Sequence, residues 1–188
     1  MSTIKMRSKE SNGVVTVKAL IKHPMETGQR KDKKTGNLIP AHYIQEVQSK
    51  ANGNDVITMQ TQDLDGDGPN APVVTVSGPL TSGTSYSGSI QWLNEMEDPA
   101  EDITEEILEE DDEHQIFFSA AGVGMEFVYM DFDGNGNPLG TQFVLAPLGT
   151  GSGSVTITLV HEPTKPNDGL DTAGGSIDIQ TTFSVTVE

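Results

Sequence analysis

The stretch that decides the fold is residues 177–187, IDIQTTFSVTV, in which apolar residues alternate with polar ones. Residues 153–160, GSVTITLV, repeat the pattern, with Val155, Ile157 and Leu159 set between serine and threonine. A period of two places apolar side chains on one face of a strand and polar ones on the other, which is typical of antiparallel sheets with one packed face. These two segments therefore predict a pair of half-buried strands.

Further strands are predicted upstream, each bounded by glycine, proline or asparagine. They cover residues 14–21, 43–47, 56–59, 73–77, 86–93, 115–119, 125–130 and 142–145. Between the second and third of them lies Asn52-Gly53-Asn54, a hairpin signal because Asn and Gly tolerate positive φ. The sequence as a whole predicts an all-β fold, an antiparallel β-sandwich or a pair of them.

One segment departs from the strand pattern and predicts a short acidic helix. Residues 95–113 include twelve acidic residues. Asp98 can cap a helix, and Pro99 suits the first helical position. Ile103 and Ile107 are four residues apart and would share one face of the helix. We interpret the segment as a solvated connection between strands; the alternative is an acidic recognition tract.

Charge divides the chain near residue 60. Residues 1–60 hold ten of the eleven lysines and arginines against five acidic residues, whereas residues 61–188 hold Lys165 against 23 acidic residues. The net charge is thus about +5 in the first part and about −22 in the second. The acidic part would repel a phosphate backbone, and the basic part lacks a series of stacking aromatic residues, so no binding of nucleic acid is expected.

The composition also limits chemistry and location. The sequence contains no cysteine, which excludes disulfides, thiolate zinc sites and cysteine nucleophiles. The four histidines stand apart in sequence, without the spacing of a metal-binding helix. No apolar run approaches the roughly 18 residues of a membrane span, and the first 13 residues lack the apolar core of a secretory signal. We therefore expect no enzymatic activity and no membrane span.

Two segments rich in Asp and Gly have the spacing of calcium loops, DLDGDG at residues 63–68 and DFDGNG at residues 131–136. The candidate calcium ligands are Asp63, Asp65, Asp67, Asp131, Asp133 and Asn135. An EF-hand has a bidentate glutamate at the twelfth position, where these loops have Val74 and Gln142. The alternative interpretation is a pair of turns, in which Asp and Gly supply local hydrogen bonds and positive φ.

The basic part resembles a known family. Residues 17–28, VKALIKHPMETG, followed by RKD at residues 30–32 and IPAHYI at residues 39–44, are similar to SoxZ. The resemblance covers about residues 3–60. SoxZ is the non-catalytic subunit of the SoxYZ carrier of periplasmic thiosulfate oxidation, in which SoxY carries the substrate on a cysteine.

The resemblance implies an immunoglobulin-like sandwich that docks a SoxY-like protein partner. The residues that it assigns to partner binding are His23, Pro24, Met25, Glu26, Arg30 and Lys31. It also implies a periplasmic or cell-envelope location without a signal peptide of its own, because SoxZ proteins leave the cytoplasm folded with their partner.

The acidic part, from Asp63 onward, resembles functionally uncharacterised β-rich envelope proteins of Bacteroidetes. We therefore divide the chain into a SoxZ-like β segment, residues 1–60, and an acidic β-sandwich domain, residues 61–188. If both parts share one core, Ile57 and Met59 should pack against Val73 or Val74. The alternatives to a SoxZ-like subunit are a calcium-stabilised envelope or surface protein and a chimera or generated sequence without a function of its own.

Overall fold

The computed structural model describes the backbone of residues 5–11, 14–20, 44–51, 56–63, 70–94 and 100–188, and the side chains of residues 56–63, 70–94 and 100–188. The described strands are β1 (Lys5–Ser11), β2 (Val14–Leu20), β3 (Ile44–Ala51), β4 (Val56–Gln62), β5 (Val73–Val76), β6 (Tyr86–Asn94), β7 (Glu101–Asp102), β8 (His114–Ala121), β9 (Met125–Tyr129), β10 (Gln142–Pro147), β11 (Gly151–His161) and β12 (Ser176–Val187). The described helices are α1 (Thr104–Glu109) and α2 (Leu170–Ala173).

Two antiparallel sheets form the sandwich. The larger has the order β5-β4-β3-β6-β10-β9, with the short β7 paired to β6. The smaller has the order β12-β11-β8. A parallel bridge between Leu80 and Val187 links the segment after β5 to the end of β12. The prediction of an all-β antiparallel sandwich is confirmed.

The stretch that decides the fold alternates as predicted from Ile179 to Val187, but at its start the prediction is wrong, because a bulge leaves Ile177 exposed and Asp178 buried. From Asp178 to Val187 buried and exposed residues alternate along β12, apart from two adjacent buried residues at its start. Its inward residues, including Phe183 and Val185, join Leu159 of β11 in one core. The larger sheet contributes Tyr86 and Trp92 to the same core. Burial of these side chains between two sheets supplies the main favourable term in folding.

The hairpin of β1 and β2 forms a sheet of its own, and its strands pair with no other strand that the structure describes. By contrast, β3 and β4 lie inside the larger sheet, where β3 pairs with both β4 and β6. Residue 60, where the charge changes, lies within β4. Strands from both sides of the charge boundary are therefore joined by backbone hydrogen bonds.

Ile57 and Met59 are both buried in the shared core, but not against the predicted valines. Met59 is paired with Val76 of β5, whose side chain packs on the core. Val73 and Val74 are exposed. The pairing with these two residues was wrong because the register of β4 and β5 depends on the turn between them, which the alternation of the strands does not fix.

The acidic helix exists but begins later than the sequence predicts, at Thr104. Residues 101–102 pair with β6, which keeps the chain extended up to that point. The backbone N–H of Thr104 donates to Asp102, and the Thr104 hydroxyl accepts from the backbone N–H of Trp92. Ile107 is fully buried on the core, as predicted for one apolar face. The predicted cap at residues 98–99 lies outside the described residues.

Gly88 offers a test of how tightly the larger sheet is packed. Gly88 is the cross-strand partner of Phe143, whose ring lies so close that a Cβ at Gly88 would stand 2.3 Å from its Cζ atom. We expect Gly88→Ala to lower the free energy of unfolding by about 1–3 kcal/mol, because overpacking displaces a buried ring. Chemical denaturation measures the change. Gly149→Ala, where the added Cβ meets open space, should leave stability unchanged, and an equal loss in both variants would contradict this account.

Candidate functional site

Several predicted site residues lie outside the described part of the chain. These are the six partner-binding residues, His23, Pro24, Met25, Glu26, Arg30 and Lys31, and two calcium candidates, Asp65 and Asp67. Asp63 is half-buried directly after β4. Of the two predicted calcium loops, the second is described in full.

Asp133 is the centre of the second loop. Its Oδ1 atom accepts hydrogen bonds from the backbone N–H groups of Asn135, at 2.8 Å, and Asn137, at 2.9 Å. Its Oδ2 atom accepts from the side-chain amide of Asn137 at 3.0 Å. This is the local bonding of a turn that Asp commonly forms with the backbone following it.

Asp131 is bound in the same way at the base of the loop. Its two oxygens accept from the backbone N–H groups of Gly140, at 2.8 Å, and Thr141, at 2.9 Å, and from the Thr141 hydroxyl. Asp131 thus closes the base of the loop between β9 and β10, and Asp133 closes the turn at its tip. Asn135 is exposed at the tip.

The ammonium group of Lys165 contacts this loop. The Lys165 ammonium lies 3.3 Å from Asp133 Oδ2 and donates to the carbonyl oxygen of Asp111 at 2.7 Å. Its side chain is only 6% exposed, and that of Asp133 is fully buried. The pair therefore ties the loop to the end of the acidic segment and to the segment that follows β11. The sequence signal for the contact between Lys165 and Asp133 was that Lys165 is the one lysine among the 128 residues 61–188, which are rich in acidic residues.

The hydrogen bonds fix the charge state of Asp133. Burial by itself raises the pKa of this carboxyl, but the donors from Asn137, Asn135 and Lys165 outweigh burial and hold the pKa at about 2. Donors that favour the charged form lower an acid's pKa in this way. Asp133 is consequently ionised throughout the physiological range.

Calcium binding at these loops stays a prediction. Within the described residues, no three His, Cys, Asp or Glu side chains are grouped so as to hold a metal ion. The oxygens of Asp131 and Asp133 accept N–H and O–H donors, which a bound calcium ion would have to displace. The loop as it stands is a hydrogen-bonded turn.

The fold brings two histidines together that stand far apart in sequence. His114 and His161 are cross-strand partners on β8 and β11, and their rings stack with centroids 4.9 Å apart. His114 is fully buried, and its Nδ1 atom lies 3.1 Å from the carbonyl oxygen of Glu110. His161 is partly exposed, and its Nε2 atom lies 3.8 Å from Glu113. Burial lowers the pKa of His114 and favours its neutral form.

Asp178 completes this end of the sandwich. Ile179 pairs with Leu159 and Ile177 pairs with Val160, so Asp178 is the extra residue of a β-bulge. Asp178 is 7% exposed, and neither carboxylate oxygen has a hydrogen-bond partner among the described residues. Burial raises its pKa to about 6, against a weaker opposing effect of His161. The sequence contains no signal for this cluster, because it depends on the bulge and on the register of three strands.

No helix in the described part of the chain is both long and apolar enough to span a membrane.

Comparison with known proteins identifies one family. Residues 4–67 match the model of the family described as sulphur oxidation protein SoxZ. No curated protein and no solved structure matches the chain. The chain therefore carries a SoxZ segment, which confirms the resemblance at the N-terminal part. The segment includes β3 and β4 of the larger sheet.

The ion pair of Lys165 and Asp133 should be important for stability. We expect Lys165→Met to lower the free energy of unfolding by about 3 kcal/mol, because it leaves a buried carboxylate without its ammonium partner. Adding Asp133→Asn removes the uncompensated charge and should restore part of the loss. Denaturation of the wild type, both single variants and the double variant measures the coupling. Strictly additive losses would contradict a direct interaction.

The raised pKa of Asp178 predicts that the free energy of unfolding depends on pH. Its pKa is raised from 3.8 to about 6 in the folded state, so the folded state binds more protons than the unfolded state between these values. The favourable contribution of protonated Asp178 to the free energy of unfolding is therefore fully present below pH 4 and is lost as the pH rises through 6. The loss amounts to roughly 3 kcal/mol. Asp178→Asn should be more stable than the wild type at pH 7, with the difference disappearing near pH 4.

The measurement is the free energy of unfolding of both proteins between pH 4 and pH 7. Comparison with Asp168→Asn, which replaces an exposed carboxylate, separates the effect of Asp178 from the general effect of removing one negative charge. A constant difference between wild type and Asp178→Asn across the range would refute the assignment.

Proposed function

We propose that this chain is a non-catalytic, SoxZ-like binding subunit of a sulfur-oxidation carrier complex, and that it docks a SoxY-like protein. The observation that carries the proposal is the SoxZ family match of residues 4–67. The SoxZ segment does not stand apart from the remaining chain, because β3 pairs with β6 over eight residues. The acidic strands would then support the segment that binds the partner.

A supporting role agrees with the composition. A carrier that holds its substrate on a cysteine needs a thiol, and this sequence contains none. In the SoxYZ arrangement that the resemblance implies, the thiol belongs to SoxY and the second subunit supplies a folded surface. The proposed site of action is the periplasm or cell envelope, where that carrier works.

The proposed contact lies in the basic segment between β2 and β3. It comprises His23, Pro24, Met25, Glu26, Arg30 and Lys31. Arg30 and Lys31 belong to a stretch of five charged residues, RKDKK at positions 30–34. Such a cluster of cations suits an acidic surface on the partner, which would also accelerate association at low salt.

The test is binding of the full chain to purified SoxY, measured by calorimetry and by pull-down. We expect a stable complex, and we expect the charge reversal of Arg30→Glu with Lys31→Glu to weaken it at least tenfold, because like charges would meet at the contact. The matched control is Lys33→Glu with Lys34→Glu, which makes the same change in net charge within the same basic stretch.

Two results would count against the proposal. A folded chain that does not bind SoxY would remove the subunit function. Equal weakening by both double variants would leave a general charge effect and no specific contact at residues 30–31. Circular dichroism of each variant establishes that the sandwich is folded before binding is compared.

A further inference from the structure

An apolar strip follows the edge strand β9. Val128, Met130 and Phe132 alternate along β9 and its continuation, and they are 55%, 56% and 53% exposed. The alternation places them on one side of the strand. Val144, the cross-strand partner of Val128 on β10, is half-buried beside them. Singly exposed apolar residues are normal on a protein surface, whereas these three lie in line on one strand and form a continuous apolar strip.

The strip lies at an edge that offers backbone hydrogen bonds. Among the described strands, β9 pairs only with β10, so alternate N–H and C=O groups of β9 point away from the sheet. Natural edge strands are commonly protected by lysine, proline or a bulge. The sequence from Met125 to Met130, MEFVYM, contains neither lysine nor proline, and the pairing of β9 with β10 is regular. An added strand could therefore pair with β9.

Phe132 is held outward by the loop that resembles a calcium site. Its two neighbours, Asp131 and Asp133, accept five backbone and side-chain donors at 2.8–3.0 Å between them, besides the Thr141 hydroxyl and the ammonium of Lys165. A bridge between Phe132 and Pro138 fixes the backbone as well. The aromatic ring is thus exposed on a rigid support. Binding to such a ring costs little conformational entropy, and aromatic anchors dominate the energy of many interfaces.

The charges around the strip favour a basic occupant. Glu126 precedes Val128 by two residues, is exposed, and continues the line of the strip. From residue 61 onward the sequence has one lysine and no arginine, and that lysine, Lys165, is buried against Asp133. Within residues 61–188, no lysine or arginine is therefore available to pair with the exposed carboxylate of Glu126. A second copy of this edge would bring like charges together, which opposes pairing of β9 with itself.

We propose that β9 and Phe132 form a docking edge for a partner protein, and that the docked segment is an extended strand with apolar residues along one face and a lysine or arginine at the end of that same face. The backbone of the segment extends the larger sheet by one strand. Its apolar side chains cover Val128, Met130 and Phe132, and the cation on the same face meets Glu126. This mode of recognition takes affinity from main-chain hydrogen bonds and specificity from alternate side chains. The proposal does not depend on which partner the SoxZ segment binds.

The probe is a fluorescein-labelled, acetylated octapeptide of sequence Ser-Val-Thr-Val-Thr-Val-Thr-Lys, whose three valines and lysine share one face of a strand. It is titrated with the full chain and followed by fluorescence anisotropy. We expect saturable binding that weakens as salt rises from 50 to 300 mM, because exposed charges are screened. The peptide in which glutamate replaces the lysine should bind at least tenfold more weakly. Failure of the lysine peptide to bind, or equal binding of both peptides, would overturn the proposal.

Variants of the protein locate the surface. Phe132→Ala should weaken binding of the lysine peptide about tenfold, the usual effect of losing an aromatic anchor, while the free energy of unfolding stays unchanged. Val128→Lys should weaken it further by placing a cation on the edge. The matched control is Val73→Lys, because Val73 is an exposed valine of β5, the opposite edge of the same sheet.

Three further results would contradict the proposed docking edge. Equal loss in Val73→Lys and Val128→Lys would show that the peptide does not select β9. Unchanged affinity in Phe132→Ala would remove the anchor. If light scattering shows a dimer that Val128→Lys converts to a monomer, the occupant of the edge is a second copy of this chain, and the proposed basic partner is wrong.

Discussion

The structure depends on the double pairing of β6. One edge of this strand bonds to β3, in the SoxZ segment, and the other bonds to β10, in the acidic part. The same strand supplies Tyr86, Ile90 and Trp92 to the core. Without β6, the sheet would divide into β5-β4-β3, with an unpaired edge at β3, and the two strands β10 and β9, and an isolated two-stranded sheet is marginally stable in water. The two charge regions of the sequence are therefore connected by one continuous sheet, and the net charge changes inside β4 rather than between two cores.

Carboxylates serve different physical purposes in different parts of this acidic chain. Those of Asp131 and Asp133 accept donors in a turn, and Asp133 also meets the buried ammonium of Lys165. Asp102 accepts the N–H of Thr104 at the start of α1. Hydrogen-bond donors around Asp133 lower its pKa in spite of burial, whereas Asp178 is buried without such donors and its pKa is raised, since desolvation without donors favours the neutral acid.

The DFDGNG segment shows how one motif supports two interpretations until its contacts are known. Its spacing is that of a calcium loop, and its residues are equally suited to a turn. In the folded chain its oxygens accept N–H groups, and the phenylalanine between the two aspartates is left exposed on a fixed backbone. The motif thus links a structural turn to an apolar surface at the edge of the sheet. The ligand spacing was visible in the sequence, but the direction of the side chain of Phe132 was not.

The sequence by itself determined most of the strands and how the charge is distributed, although it gave no signal for β1 or for the short β7. Alternation along residues 179–187 is a local property of a half-buried strand, so it is kept in the fold, and the SoxZ resemblance likewise depends on contiguous residues. Only the tertiary structure decided which strands are neighbours. It paired Met59 with Val76, stacked His114 on His161, placed the bulge at Asp178 and brought Lys165 to Asp133. The physical reason is that a period of two fixes the face of a residue but not its register. Register is set by turns and by the closure of a core from residues distant in the chain.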